Sequence, residues 1–326
     1  MTRRSVLIIV LSAILAVSSC KDKIGPQPFP MPKVPAMISS QKDYANYLVS
    51  HFWQPFFSEE REYSRDTSLI GGVTKDAFSQ AFINYATMLF LADTKRGLQE
   101  QEYLMEQAEK MAAADPRSNF FETITSICDA YLYNPNSPLR NEEMYIPVEE
   151  AKLKSQFVSD DDKAEAAALL PRLKLNRVGT PAADFTFTLR SGSKMDLYDV
   201  KADNTIMFFS NPGCEDCKAV IDQLMSLQGL NEAIADGKLA VVNVYPDEDL
   251  KEWFAYAPVY PDNWYNGFDQ DLAVGGGLYN LRAIPSLYLL DKDKKVIFKD
   301  VDPMMLTDYL QPVLAGQPSS STQSSL

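Results

Sequence analysis

A chain of 326 residues, 46% apolar and 23% charged, is long enough for two domains that each bury a core. Its formal charge of −13 leaves no basic surface to neutralise phosphates at scale, which excludes nucleic acid as a partner. Past the N-terminus no run of about 18 apolar residues occurs, so no later membrane-spanning helix is expected.

Arg3 and Arg4 precede the apolar run Val6–Val17, and Val17-Ser-Ser-Cys20 follows directly. A positive start, a short apolar stretch and small residues before a cut site make residues 1–19 a secretory signal; an uncleaved anchor is the alternative. The Val-Ser-Ser-Cys ending resembles the bacterial lipobox, which implies that Cys20 is lipidated and ties the chain to a lipid bilayer. Thr2-Arg3-Arg4-Ser5 is similar to a twin-arginine signal, but the strongly apolar run favours the general export route. Residues 20–40 carry five prolines (Pro26, Pro28, Pro30, Pro32, Pro35) and read as an extended tether.

Over 41–175 the apolar period is helical. Ala77, Phe78, Ala81, Phe82, Tyr85, Met88 and Leu89 make one face. Further helices are predicted over 94–114, stopped by Asp115-Pro116, and over 119–132, before the turn formers Asn134-Pro-Asn-Ser-Pro138. Two more are expected near 142–157 and 160–170. The single histidine, His51, sits among Tyr47, Leu48, Phe52 and Trp53 and reads as a packed side chain, so Ser-His and Cys-His catalysis have no support here. Cys128 lies within the helical pattern Phe120, Phe121, Ile124, Ile127, Tyr131 and reads as a buried, inert thiol. This half is expected to be an all-α recognition or structural module.

From Val178 the signals change to strands separated by helices. Asp184–Leu189 alternates and can return through Lys194–Leu197 as a hairpin. Strands are predicted over 205–209 and 239–245, helices over 214–227 and 250–256, a hairpin over 286–299 and a final helix over 304–314. Gly275-Gly-Gly277 reads as a turn or hinge, and 316–326 as a disordered Ser/Gln tail. The sum over 178–315 is an α/β sheet with helices on both faces.

One stretch in this half carries chemistry. An apolar strand, Ile206 to Phe209, breaks at Asn211-Pro212-Gly213, and Cys214 and Cys217 open the next helix. Residues three apart on a helix share a face, so the two sulfurs can close a readily exchanged disulfide. Cys214, at the helix start, meets free amide N–H groups and the positive dipole end, and is expected to attack. Cys217, one turn further in, is expected to resolve the mixed disulfide. Pro212 and Gly213 keep the approach to Cys214 open. Glu215 and Asp216 oppose the thiolate and Lys218 offsets part of that, which suits a reductant with a potential around or below roughly −200 mV. A zinc site needs four ligands where two are in sight, and a structural bridge across so short a loop would stabilise little. A peroxidatic cysteine would want a threonine or serine where Asn211 stands.

These residues resemble the TlpA-like thiol–disulfide oxidoreductases of the thioredoxin fold. The likeness rests on Pro181-Ala-Ala-Asp-Phe185, Phe208–Cys217 and Leu281-Arg-Ala-Ile-Pro-Ser-Leu-Tyr-Leu-Leu-Asp291. It implies that Ile284–Pro285 is cis, faces the CxxC and receives substrate on the Ile284 backbone as an added strand. It implies no cofactor beyond the Cys214–Cys217 disulfide, and no metal. Its implied partners are exported proteins with disulfides or thiols and an upstream membrane or periplasmic electron donor. The sequence departs from the family at Gly213, where a tryptophan is usual, and at Phe208 and Val220, where relatives keep a buried carboxylate. A non-catalytic binding or scaffold lipoprotein that retains the fold is therefore the alternative. The N-terminal half is similar to a helical domain of unknown function that precedes thioredoxin-like modules in Bacteroidetes lipoproteins, through Tyr47–Trp53 and Tyr131–Glu143. Lys21 after Cys20 implies the periplasmic face of the outer membrane.

Overall fold

Side-chain caps set where α-helices of the N-terminal half begin at Gln41, Lys75, Glu142 and Asp160. The structure, a computed structural model, describes residues 26–58, 69–114, 120–269 and 274–315; the signal segment, Cys20, the Asp115-Pro116 stop and the tail lie outside the described residues. Helix α1 (Gln41–His51) starts at Ser40, whose hydroxyl accepts the Asp43 amide, and α2 (Gln54–Ser58) follows. A small hairpin, β1 (Leu69–Ile70) and β2 (Val73–Thr74), then leads into α3 (Lys75–Leu91), capped by Thr74. Next come α4 (Thr94–Ala114) and α5 (Phe120–Cys128), which runs into a π-helical turn at Asp129–Tyr133. Asn141 caps α6 (Glu142–Lys154) and Ser159 caps α7 (Asp160–Leu173). Each cap satisfies an amide that the helix itself leaves unpaired.

The helical core is aromatic. Phe52, Trp53, Phe56, Phe78, Phe82 and Tyr85 are fully buried together. The proline-rich segment differs from the free tether its composition implies. From Pro26 on it lies against this core: Phe29 stacks on Phe56 at 5.4 Å and meets Trp53 edge-on, and the Gln27 amide donates to the Gly72 carbonyl. A single apolar residue among the prolines is enough to dock the strap. His51 donates Nδ1–H to the Tyr47 carbonyl and stacks on that ring, a local helical contact. Cys128 is free and fully buried, and burial pushes its thiol far above the ordinary range.

In the C-terminal half β3 (Thr186–Leu189) and β4 (Lys194–Asp196) form the first hairpin. The chain continues through β5 (Asn204–Phe209), α8 (Glu215–Met225), α9 (Leu230–Ala235), β6 (Leu239–Tyr245) and α10 (Leu250–Tyr256). It ends with β7 (Tyr265–Phe268), β8 (Ser286–Asp291), β9 (Val296–Phe298) and α11 (Pro303–Leu314). The sheet order is β4-β3-β7-β6-β5-β8-β9, with β6 parallel to both β5 and β7 and the other pairs antiparallel. Strand β7 is not among the strands expected from sequence, because Asn266-Gly267 looks like a turn. A Cβ on Gly267 would lie 2.8 Å from the Phe187 ring and 2.9 Å from the Thr188 carbonyl, so glycine is what lets β3 pair there. The Gly-rich run forms a π-helical turn, Val274–Leu278, with Gly277 at φ +106°.

Among the described residues the α-helices of this half gather on one face of the sheet. Side chains alternate along β5: Ile206 and Phe208 face one core, and Met207 and Phe209 face the other. Helices α8, α9, α10 and α11 all feed the first core, through Val220, Ala233, Trp253 and Leu306. The second is covered by Phe185 and Val200, by Leu197 on a 3-10 turn and by Val274 on the π-helical turn, with Tyr279 beside it.

Candidate active site

Strand β5 lies between β6 and β8, and its C-terminal end delivers the chain to the CxxC. Asn211-Pro212-Gly213 makes the turn, with Gly213 at φ +68°, exposed and with open space around its Cα. That left-handed backbone explains why this position holds glycine where the resembled family has tryptophan. Cys214 is the N-cap of α8: its sulfur accepts the Cys217 amide at 3.1 Å. Cys214 and Cys217 are disulfide-bonded, with Cα atoms 5.2 Å apart. Cys214 is half-buried, whereas Cys217 is 2% exposed. The accessible sulfur is thus the one aimed at the helix N-terminus.

Glu215 and Asp216 are exposed in the first turn of α8. Lys218 is ion-paired with Asp222 one turn on, so less of its charge is left to offset them than the sequence suggests. Phe208 and Val220 are buried in the same core as Cys217, and neither place offers a carboxylate. A polar group that sequence reasoning missed lies at the end of β5. Buried Ser210 donates to Asn243 Oδ1 at 2.6 Å, and Tyr260 Oη stands 3.4 Å from Ser210 Oγ. Burial raises the Tyr260 pKa, so its phenol stays protonated and offers no base. Asn211 reaches Asp247 at 3.3 Å and links the turn to the end of β6. Ser210 and Asn211 belong to the CxxC stretch, but Asn243, Asp247 and Tyr260 stand in no sequence motif, and only the fold brings them to it.

The other wall of the site comes from β8. Ile284–Pro285 is cis, as the resemblance implies. Ser286 pairs with Phe209, so Ile284 and Pro285 run on from β8 alongside the turn that ends β5. Ile284 and Cys214 both pack on the core that holds Cys217. The structure therefore brings Cys214, Cys217, Ile284 and Pro285 to one end of the sheet, with Pro212 and Gly213 at its rim and Glu215 and Asp216 on the exposed turn.

A CxxC that caps the helix after a central strand, opposite a cis proline on the antiparallel neighbour, defines a thioredoxin-like domain, here preceded by an all-α domain. Residues 12–176 match the family described as Domain of unknown function (DUF5106), and the chain belongs to that family. A thioredoxin-like protein from Bacteroides caccae is 33% identical to it, covers 87% of this chain and 98% of its own, and superposes with a TM-score of 0.69. The C-terminal domain of an uncharacterized protein from Bacteroides fragilis is 44% identical over 41% of this chain and 97% of its own, with a TM-score of 0.40. A domain of a possible thiol-disulfide isomerase from Cytophaga hutchinsonii is 24% identical over 44% of this chain and 97% of its own, with a TM-score of 0.36. No curated protein matches the chain.

Proposed function

We propose that the protein is an exported thiol–disulfide oxidoreductase, tethered to a bilayer through lipidated Cys20 and acting as a reductant through Cys214 and Cys217. The observation that carries this reading is the sulfur asymmetry: Cys214 caps α8 and is accessible, and Cys217 is buried behind it. In the dithiol state the Cys214 thiolate attacks one sulfur of a substrate disulfide, and the other leaves as a thiolate. Cys217 gives up its proton to solvent and attacks the Cys214 sulfur, which releases the second substrate thiolate and closes Cys214–Cys217. Two electrons pass to the substrate, and a dithiol donor on the membrane or in the periplasm restores the pair. The redox-active disulfide is the only cofactor in this scheme. Pro285 and the Ile284 backbone receive the substrate chain as an added strand, beside Pro212 and Gly213. The substrates are exported proteins with disulfides or thiols, and the site of action is the periplasmic face of the outer membrane.

The absence of a carboxylate at Phe208 and Val220 favours one second reading, a binding or scaffold lipoprotein with little turnover. Insulin reduction separates the two. The wild type should reduce insulin in the presence of a small dithiol and Cys214→Ser should not; equal rates would end the oxidoreductase reading. Cys217→Ser should then trap substrates as mixed disulfides on Cys214, which would identify them.

A further inference from the structure

A glutamate in the first turn of a helix is ordinarily solvated and favoured by the dipole. Glu142 opens α6 but is 2% exposed, because its carboxylate reaches into the other domain. One oxygen lies 2.7 Å from Arg282 Nε and accepts from Asn280 Nδ2 at 2.9 Å; the other pairs with Lys299 Nζ at 2.8 Å. Arg282, whose side chain is 6% exposed, also pairs with Asp300 at 2.5 Å, donates to the Tyr133 carbonyl and lies 4.7 Å from the centre of the Tyr133 ring. The second Asp300 oxygen accepts from the Ser286 hydroxyl at 3.0 Å. Arg140 completes the layer from the helical side, donating to the carbonyls of Asp300 at 3.0 Å and Val301 at 3.2 Å.

Arg282 and Ser286 bracket Ile284–Pro285, the segment that β8 lays beside the CxxC turn. Both ends of that segment are therefore fastened to one charged layer, and two of its charges, Glu142 and Arg140, belong to the helical domain. Buried charges hold one geometry only while every partner is in place, since an unpaired charge cannot stay buried at low cost. We infer that the helical domain holds the loop Leu281–Ser286 in its substrate-receiving geometry through Glu142 and Arg140, which makes Glu142 a positioning residue for thiol–disulfide exchange. The inference rests on the oxidoreductase reading for its kinetic consequence, and on the contacts alone for its structural one.

The test uses the full chain with Glu142→Gln, which keeps the shape and removes the charge. Three quantities are measured: kcat and KM for insulin reduction, the rate at which iodoacetamide alkylates reduced Cys214, and amide hydrogen exchange over Leu281–Ser286. The expected result is a KM raised about tenfold, with kcat and alkylation each within about twofold, and exchange in the loop about tenfold faster. If Glu142→Gln does not fold, Arg140→Gln, which removes the bonds to the Asp300 and Val301 carbonyls and leaves Glu142 in place, gives the same three readouts with smaller changes in the same directions. A lower melting temperature with unchanged KM and unchanged loop exchange would overturn the inference, because Glu142 would then only join the domains. Alkylation slowed as much as KM rises would overturn it too, since the disturbance would have reached the cysteines themselves. Failure of the wild type to reduce insulin would sink the oxidoreductase reading, while loop exchange in the variant would still decide the positioning.

Discussion

Glu100 offers a test of the physical reasoning that does not depend on the redox site. It lies on α4, 8% exposed, and one carboxylate oxygen has no hydrogen-bond partner. Burial pushes its pKa from the ordinary 4.5 up to about 7, opposed by a hydrogen bond from the Trp53 backbone. Below about pH 4.5 Glu100 is protonated in both the folded and the unfolded chain and costs nothing. Between about pH 4.5 and 7 the folded chain keeps a proton that the unfolded chain has lost, so stability falls as pH rises. At about 1.36 kcal/mol per pKa unit the loss is complete above pH 7 and amounts to about 3 kcal/mol. Glu100→Gln removes the titration at nearly constant volume. Urea unfolding should find the variant and wild type about equally stable at pH 4, and the variant more stable by about 2 to 3 kcal/mol at pH 8. A difference that stays constant from pH 4 to pH 8 would refute the argument.

Two further outcomes concern the site and the buried thiol. Glu215→Gln together with Asp216→Asn should favour the Cys214 thiolate and raise the reduction potential, by up to about 30 mV for each carboxylate and less after solvent screening; equilibration with glutathione mixtures would show it, and an unchanged potential would mean that both charges are fully screened. Cys128, fully buried and with its thiol pushed far above the ordinary range, should resist alkylation in the native protein and react only on unfolding; mass spectrometry after a short iodoacetamide pulse measures this.

The CxxC turn was legible because each of its parts obeys a local rule. The run Ile206–Phe209 is apolar enough to be a central strand, Pro212 and Gly213 forbid helix, and Cys214 then caps α8. The starts predicted near 142 and 160 stand where Asn141 and Ser159 cap α6 and α7, whereas the Thr74 cap of α3 went unread, because the apolar period marks a face and not an end. Strand β7 was not, because Gly267 is required by a neighbour far away in sequence and looks like a breaker locally. Phe29 was hidden likewise: prolines on either side make its segment read as solvated, and only the finished aromatic core gives it a place to dock. The interdomain charges were the least legible. Glu142 looks like a dipole-friendly first-turn acid and Arg282 like an ordinary surface cation, and their pairing spans the two domains.

That pairing also accounts for how two domains with separate cores are joined. Among the described residues the apolar core of the helical half ends with Leu173, and neither sheet core draws on a residue before Val178, so no shared buried core joins them. Charge joins them instead: Glu142, Arg140, Arg282, Lys299 and Asp300, with Arg177 gripping Glu143 at 3.0 Å beside them and Lys299 donating to the Leu173 and Leu175 carbonyls. An apolar interface tolerates sliding, because its energy depends on area and not on direction. A buried ionic one does not, since each group must meet its partner in one orientation or be left unpaired. A contact of this kind contributes little net stability for its size, yet it fixes geometry, and the geometry it fixes includes the residues on either side of Ile284 and Pro285.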